Sequence, residues 1–414
     1  MGKIVLFNEK KQCCGCGACM IVCKKDAISM KPDEFGCIYP QIDETLCIGC
    51  KKCVSICKYG KSEKKSLRET YVAISTNTDI QKSASGGLFA ALAKKVLKQG
   101  GCVVGCAMIY EREKLYPRHI CISEQNELYK LLGSKYVQSD LNNIYQVVRN
   151  KLLENIPVLF SGTPCQITGL YGYLQKDYSN LFTVDIICHG VPSIQFFQDY
   201  LQFTEERISK KITDFKFRDK SKGWKLYGNM TCLSNRGTSK QRYFEPSKSS
   251  YYQMFLNGYT YRDSCYRCPY AGENRQGNIT IGDFWCVELV HPELIKENGG
   301  QLHYQDGTSC LIINDEKGKI FVEQYGTGIK RWKSTYENAS KYNGQLKSPS
   351  ILPEERTIVL GEYKKGYGYV EKWYQKRQIP INIKIFIRRM IPSFMKQAIK
   401  YGIQWIKEVR CNER

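Results

Sequence analysis

The chain has 414 residues, 42% hydrophobic and 12% aromatic, enough for two or three domains with buried cores and too apolar for wholesale disorder. It holds 21 cysteines but only four histidines, which excludes a His-rich zinc enzyme. Its formal charge of +22 favours an acidic protein, an anionic substrate, nucleic acid or anionic lipid as partner, without choosing among them.

The N-terminal "MGKIVLFNEKK" lacks the apolar run and cleavage site of a signal peptide, and no apolar stretch reaches the ~18 residues of a membrane span. A soluble, cytoplasmic protein is therefore expected, where crowded cysteines mean metal ligation or redox chemistry, not disulfides. Cys13, Cys16, Cys19 and Cys23 follow C-x2-C-x2-C-x3-C, and Cys47, Cys50, Cys53 and Cys57 repeat that spacing. The doubled run is the signature of two 4Fe-4S clusters, in which the fourth cysteine of each run crosses to the other cluster. One cluster is thus assigned to Cys13, Cys16, Cys19 and Cys57, the second to Cys47, Cys50, Cys53 and Cys23. Gly15, Gly17 and Gly49 suit a backbone curling around inorganic sulfur. Lys24 and Lys58 stand where a proline commonly follows the run, which leaves every thiolate in place. Cys14 and Cys37 fall outside the spacing and are read as bystanders. Zinc would prefer two separated C-x2-C pairs.

Residues 58–70, "KYGKSEKKSLRET", read as a charged linker. Beyond it the pattern alternates. "YVAIST" and "CVVGCAMI" have strand character, and "GGLFAALAKKVLKQGG" is an amphipathic helix ended by Gly100. "PVLFSGTPCQITGL", "LFTVDIICHGVPS" and "NITIGDFW" each run from an apolar strand into a polar loop. This alternation indicates an α/β core with a largely parallel sheet, whose sites gather at the carboxyl ends of strands. Neither G-x-G-x-x-G nor a phosphate loop is present. In the tail, Met395, Ile399, Ile403 and Ile406 recur at helical spacing among Lys396, Lys400 and Lys407. Such a basic amphipathic helix either packs on the body or touches a membrane surface.

Cys165 and Cys188 lie at strand ends, and Cys265 and Cys268 form a C-x2-C. Four thiolates of this kind complete a third cubane, bind zinc, exchange thiols, or simply fill the core. The ordered series "SASGGLFAAL", "LLGSKYVQS", "SGTPCQITGL", "IICHGVPS" and "ITIGDFW", behind a doubled ferredoxin run, resembles the coenzyme F420 hydrogenase/dehydrogenase beta-subunit family up to about residue 330. That resemblance implies an iron–sulfur flavoprotein that binds FAD, with substrates ranging from a deazaflavin to chlorophyll-type pigments. It also implies a third cluster on Cys165, Cys188, Cys265 and Cys268.

The same resemblance points to flavin residues. Ser83, Ser85, Gly86 and Gly87 precede a helix and suit the FAD pyrophosphate, the bland reading being a Ser85 cap. Ser134, Lys135 and Tyr136 suit flavin or substrate, or leave Lys135 merely solvated. Thr163 and Gln166 suit the isoalloxazine edge. His189 is a structural histidine or, as a hypothesis, a proton donor. The expected architecture is α+β and α/β: a two-cluster ferredoxin-like module (1–60), an α/β FAD-binding domain (71–330) and a basic helical tail (361–414). The expected activity passes electrons between a ferredoxin or other acidic electron-transfer protein, the clusters, FAD and a small-molecule substrate, with no nucleic acid. The rival is an electron-transfer subunit with no substrate site of its own.

Overall fold

The cysteine repeat folds twice into the same motif. In the first copy the chain turns left-handed at Gly15 (φ 68°) and Gly17 (φ 73°) and enters a one-turn helix, α1 (Ala18–Ile21). In the second it turns at Gly49 (φ 69°) and Lys51 (φ 60°) into α2 (Lys52–Ser55). Between the copies, β1 (Ile28–Pro32) and β2 (Ile38–Ile42) form an antiparallel pair with Ile28 opposite Ile42. This computed structural model describes residues 4–61, 65, 67–76, 80, 83–234 and 237–390; the tail residues Met395 to Lys407 singled out above lie outside them.

The body is an eight-stranded sheet. Its strands are β3 (Glu69–Ser75), β4 (Cys102–Glu111), β5 (Lys114–Ile122), β6 (Val158–Gly162), β7 (Leu181–Ile186), β11 (Ile279–Asp283), β12 (Ser309–Ile313) and β13 (Ile329–Ser334). Across the sheet they stand in the order β13-β3-β12-β11-β7-β6-β4-β5. The central four, β11, β7, β6 and β4, run parallel, while the flanking strands return antiparallel. The sheet is therefore mixed, not largely parallel. Antiparallel β8 (Lys211–Lys216), β9 (Gly228–Leu233) and β10 (Ser239–Phe244) make a separate small sheet.

Alternation along the central strands sorts side chains into two cores. Val103, Leu159, Phe182 and Val184 face one side, where they meet Leu88, Leu92 and Val96 of α3 (Leu88–Lys98) and Phe321 and Val322 of the helix Glu316–Tyr325. Cys102, Val104, Val158, Phe160 and Leu181 face the other, against α4 (Ile144–Leu153) and α5 (Pro164–Leu174). Ala18 and Ile56 of the N-terminal module join this second core, so the module is seated on the sheet's α5 face. The chain divides into two compact units, residues 1–360 and 361–414; the helix Tyr367–Met390 belongs to the second. Among the described residues no helix is long and apolar enough to cross a membrane.

Candidate functional site

Four of the N-terminal thiols lie close together. Cys13 lies within the electrostatic reach of Cys16 and Cys57, and Cys19 within that of Cys16, Cys13 and Cys57, so the fourth cysteine of the second run joins the first three. These four share the wall of one cavity. Burial pushes the Cys13 thiol up to about 11 and raises Cys19 further, so ligation by thiolate would release protons. In the second quartet Cys53 faces Cys50 and Cys47, with Cys50 exposed and Cys23 part-buried.

The four later cysteines also meet. Cys165 stands on the first turn of α5, directly beyond β6, and Cys188 follows the end of β7. Cys265 feels the charges of Cys188, Cys165 and Cys268, and Cys268 that of Cys165. Burial pushes Cys188 up to about 12 and Cys268 to about 11. Buried Asp185 holds this arrangement: it accepts from Arg275 at 2.6 Å and from the amides of Gln276 and Gly277 at 2.8 Å. The segment carrying the C-x2-C is thereby tied to β7. Among the described residues no group of three or more His, Cys, Asp or Glu side chains is arranged to hold a single metal ion. An all-thiol set of four suits the corners of a cubane, which stand farther apart than four ligands about 2.3 Å from one zinc.

Cys14 is not a bystander. Its buried thiol interacts with both Cys16 and Cys165, keeps its own proton and favours the thiolate of each neighbour, drawing Cys165 down to about 7. The two quartets therefore adjoin at Cys14. Small residues on α5 permit this approach: a Cβ at Gly169 would stand 2.9 Å from Cys16 Sγ, and one at Gly172 would stand 2.3 Å from the Ile56 carbonyl oxygen. Cys37 is buried beneath the module, and burial pushes its thiol up to about 11.

The residues expected around a flavin are scattered in role. Ser85 Oγ donates to the Thr308 carbonyl at 2.8 Å, and Gly86 N donates to Ser309 Oγ at 2.9 Å. Ser83 N donates to the Ile80 carbonyl at 3.4 Å. Gly87 (φ 84°) starts α3, whose N-terminus has no side-chain cap, so Ser85 does not cap it. Lys220, unflagged by the sequence, lies here with Nζ on the carbonyls of Ile80, Ser85 and Asp306; burial draws it down to about 8. Lys135 Nζ is turned to the carbonyls of Leu132 and Lys130, within its own loop. Tyr136 stacks on Phe255 at 4.5 Å, with Ser134 and Arg218 at its hydroxyl.

Thr163 and Gln166 form a capping box on α5. Gln166 Oε1 accepts from Thr163 N at 2.9 Å, and its Nε2 donates to Ser139 Oγ at 2.8 Å. Ser139 in turn donates to His119 Nδ1, because the Ser161 carbonyl requires the proton on Nε2. Thr163 Oγ1 lies 3.1 Å from Cys165 Sγ. At the strand ends Arg218 donates to Asp283 at 2.6 Å, and Trp224 stacks on Trp285 at 5.0 Å. Burial lowers His189, and the Asp283 charge opposes that.

Residues 157–330 match the C-terminal region of the coenzyme F420 hydrogenase/dehydrogenase beta subunit, and residues 12–61 match the 4Fe-4S dicluster domain. These two matches make the chain similar to that beta subunit over residues 157–330, behind a 4Fe-4S dicluster module. It is an iron–sulfur electron-transfer protein of an oxidoreductase family, with the 4Fe-4S dicluster module at its N-terminus. No curated protein matches it. Among solved structures it is similar to a chain of the F420-reducing (NiFe) hydrogenase complex from Methanosarcina barkeri, with 15% identity, 76% of this chain and 93% of that chain covered, and a TM-score of 0.41.

Proposed function

We propose that this protein is an FAD-dependent iron–sulfur oxidoreductase with three 4Fe-4S clusters, acting on a small organic molecule such as a deazaflavin. The observation that carries this reading is the meeting of the first N-terminal quartet with the α/β quartet at Cys14. Bound clusters supply single-electron transfer, and FAD joins it to two-electron chemistry on the substrate. The chain's part is to hold the sites in order. Cys47, Cys50, Cys53 and Cys23 hold the outermost cluster, Cys13, Cys16, Cys19 and Cys57 the middle one, and Cys165, Cys188, Cys265 and Cys268 the innermost.

Leu46, Ile48 and Val54 are exposed in the run that carries Cys50, as are Lys51 and Lys52 beside it, and Lys24 and Lys25 are exposed after Cys23. That face suits an acidic, ferredoxin-like electron-transfer partner. The uncapped N-terminus of α3 offers amides to a pyrophosphate. Ser134, Tyr136, Arg218 and His189 border the ends of β7 and β11 where the flavin ring and substrate would meet.

One observation favours the rival reading, an electron-transfer subunit whose substrate site lies on a partner. The polar groups of Ser85, Gly86 and Gln166 are already spent within the protein. Anaerobic purification with iron, sulfide and flavin quantitation separates the two. The proposal expects about twelve iron atoms and one FAD per chain, falling to about eight iron atoms in Cys265→Ala. Iron of about twelve without flavin supports the electron-transfer subunit, and iron unchanged in Cys265→Ala overturns the innermost site.

A further inference from the structure

Three arginines are deeply buried among the described residues: Arg218, Arg262 and Arg275. Arg218 is paired with Asp283 and Arg275 with Asp185, each at 2.6 Å. Arg262, 1% exposed, has only neutral hydrogen-bond partners. Its guanidinium donates to Gln138 Oε1 at 2.9 Å, to the Ile38 carbonyl at 2.9 Å and to the Cys13 carbonyl at 3.3 Å. It lies 4.5 Å from the centre of the Tyr39 ring, and its Nε has no hydrogen-bond partner. The neighbouring carboxylates are committed elsewhere, Asp263 to Arg356 and Asp33 to Lys10. A buried cation with no counter-charge is costly, so the site requires negative charge from another source.

That source is adjacent. The guanidinium donates to the Cys13 carbonyl, and a Cβ at Gly15, between Cys13 and Cys16, would stand 2.9 Å from Arg262 Nη1, so the arginine lies against the loop that carries the first cluster's thiols. A cubane held by four thiolates is anionic, and an added electron makes it more so. We propose that Arg262 is a positioning residue that sets the reduction potential of the cluster held by Cys13, Cys16, Cys19 and Cys57. This rests on the reading above that these thiolates hold a cluster. Its unpaired charge favours the reduced, more negative form, so the middle cluster of the relay accepts an electron more readily. The innermost quartet gains less from its own arginine, because Asp185 cancels the Arg275 charge. Only an electron moves in this step, supplied by the low-potential donor, and no bond is made or broken.

Two variants test the charge. Arg262→Gln removes it, whereas Gln138→Glu cancels it in place and keeps the hydrogen bond to the guanidinium. Each holoprotein is titrated electrochemically with cluster signals followed by electron paramagnetic resonance, and the signal of interest is identified by its loss in Cys19→Ala. In both variants that cluster's potential falls, changing its oxidised-to-reduced ratio at a fixed potential at least tenfold, about 59 mV for a one-electron couple. The outermost cluster holds its potential within that margin, and the innermost, whose Cys265 amide donates to the Arg262 carbonyl, shifts by less than the middle one. An unchanged potential in either variant at full iron content overturns the inference while leaving the three-cluster reading intact. If Arg262→Gln does not assemble, Gln138→Glu decides alone. A wild-type protein without iron–sulfur signals overturns the reading and the inference together.

Discussion

Two matched positions show how single residues set the roles of near-identical repeats. Cys14 and Ile48 occupy the same place in the two runs, as do Gly17 and Lys51. Ile48 is exposed, while Cys14 is buried against Cys16 and Cys165. At this position the first repeat faces the body and the second faces solvent, although Ile56 of the second repeat also packs into the body's core. Lys51 takes the left-handed conformation that Gly17 takes without cost, at a penalty of about 1 kcal/mol, and in return puts a cation beside exposed Cys50. His119 supplies a prediction. Burial draws it down to about 4, so it stays neutral in the folded chain while the unfolded chain takes up a proton near pH 6.5. Folding stability is unaffected above that pH and falls as pH drops from about 6.5 to 4, by about 3 kcal/mol in total. His119→Gln removes this acid-side loss, which is read by comparing unfolding midpoints of the two holoproteins across that range.

At the scale of elements, α5 is both the platform for Cys165 and the seat of the N-terminal module. Gly172→Ala forces a Cβ to 2.3 Å from a backbone oxygen that cannot rotate away. The expected cost is about 1–3 kcal/mol, read as a lowered melting temperature of the holoprotein. Gly361→Ala, with nothing within 4 Å, is the control and causes no such loss. The strand-to-loop segments "SGTPCQ" and "DIICHG" were legible because a short apolar run ends at a polar glycine-bearing turn. The β4–β5 hairpin was hidden: Arg112 (φ 48°) and Glu113 (φ 61°) make its tight turn without the usual glycine or asparagine. Pro117 within β5 also argued against a strand, and is tolerated because β5 is the sheet's edge. Missing that hairpin, and the three-stranded sheet, made the body read as more parallel than it is.

At the scale of the whole molecule, the charge of +22 includes exposed lysines beside Cys23 and Cys50, the face proposed for an acidic partner. Reduction of the clusters by an acidic protein donor is expected to slow severalfold between low and physiological ionic strength, because exposed charges farther apart than about 8 Å are then largely screened. Stopped-flow reduction at graded salt checks this, with Lys51→Glu expected to lower the low-salt rate; salt-independent rates would remove the docking face. What the sequence by itself determined was local: the doubled cysteine spacing, the alternating strands and helices, and the loops at strand ends, each readable because its cause lies within a few neighbouring residues. The tertiary structure showed that Cys165, Cys188, Cys265 and Cys268, which the resemblance had named together, come within electrostatic reach of one another although spread over more than a hundred positions. It alone placed Cys14 between two quartets and left Arg262 buried without a carboxylate. Proximity and desolvation are properties of the packed chain, and no local pattern encodes them.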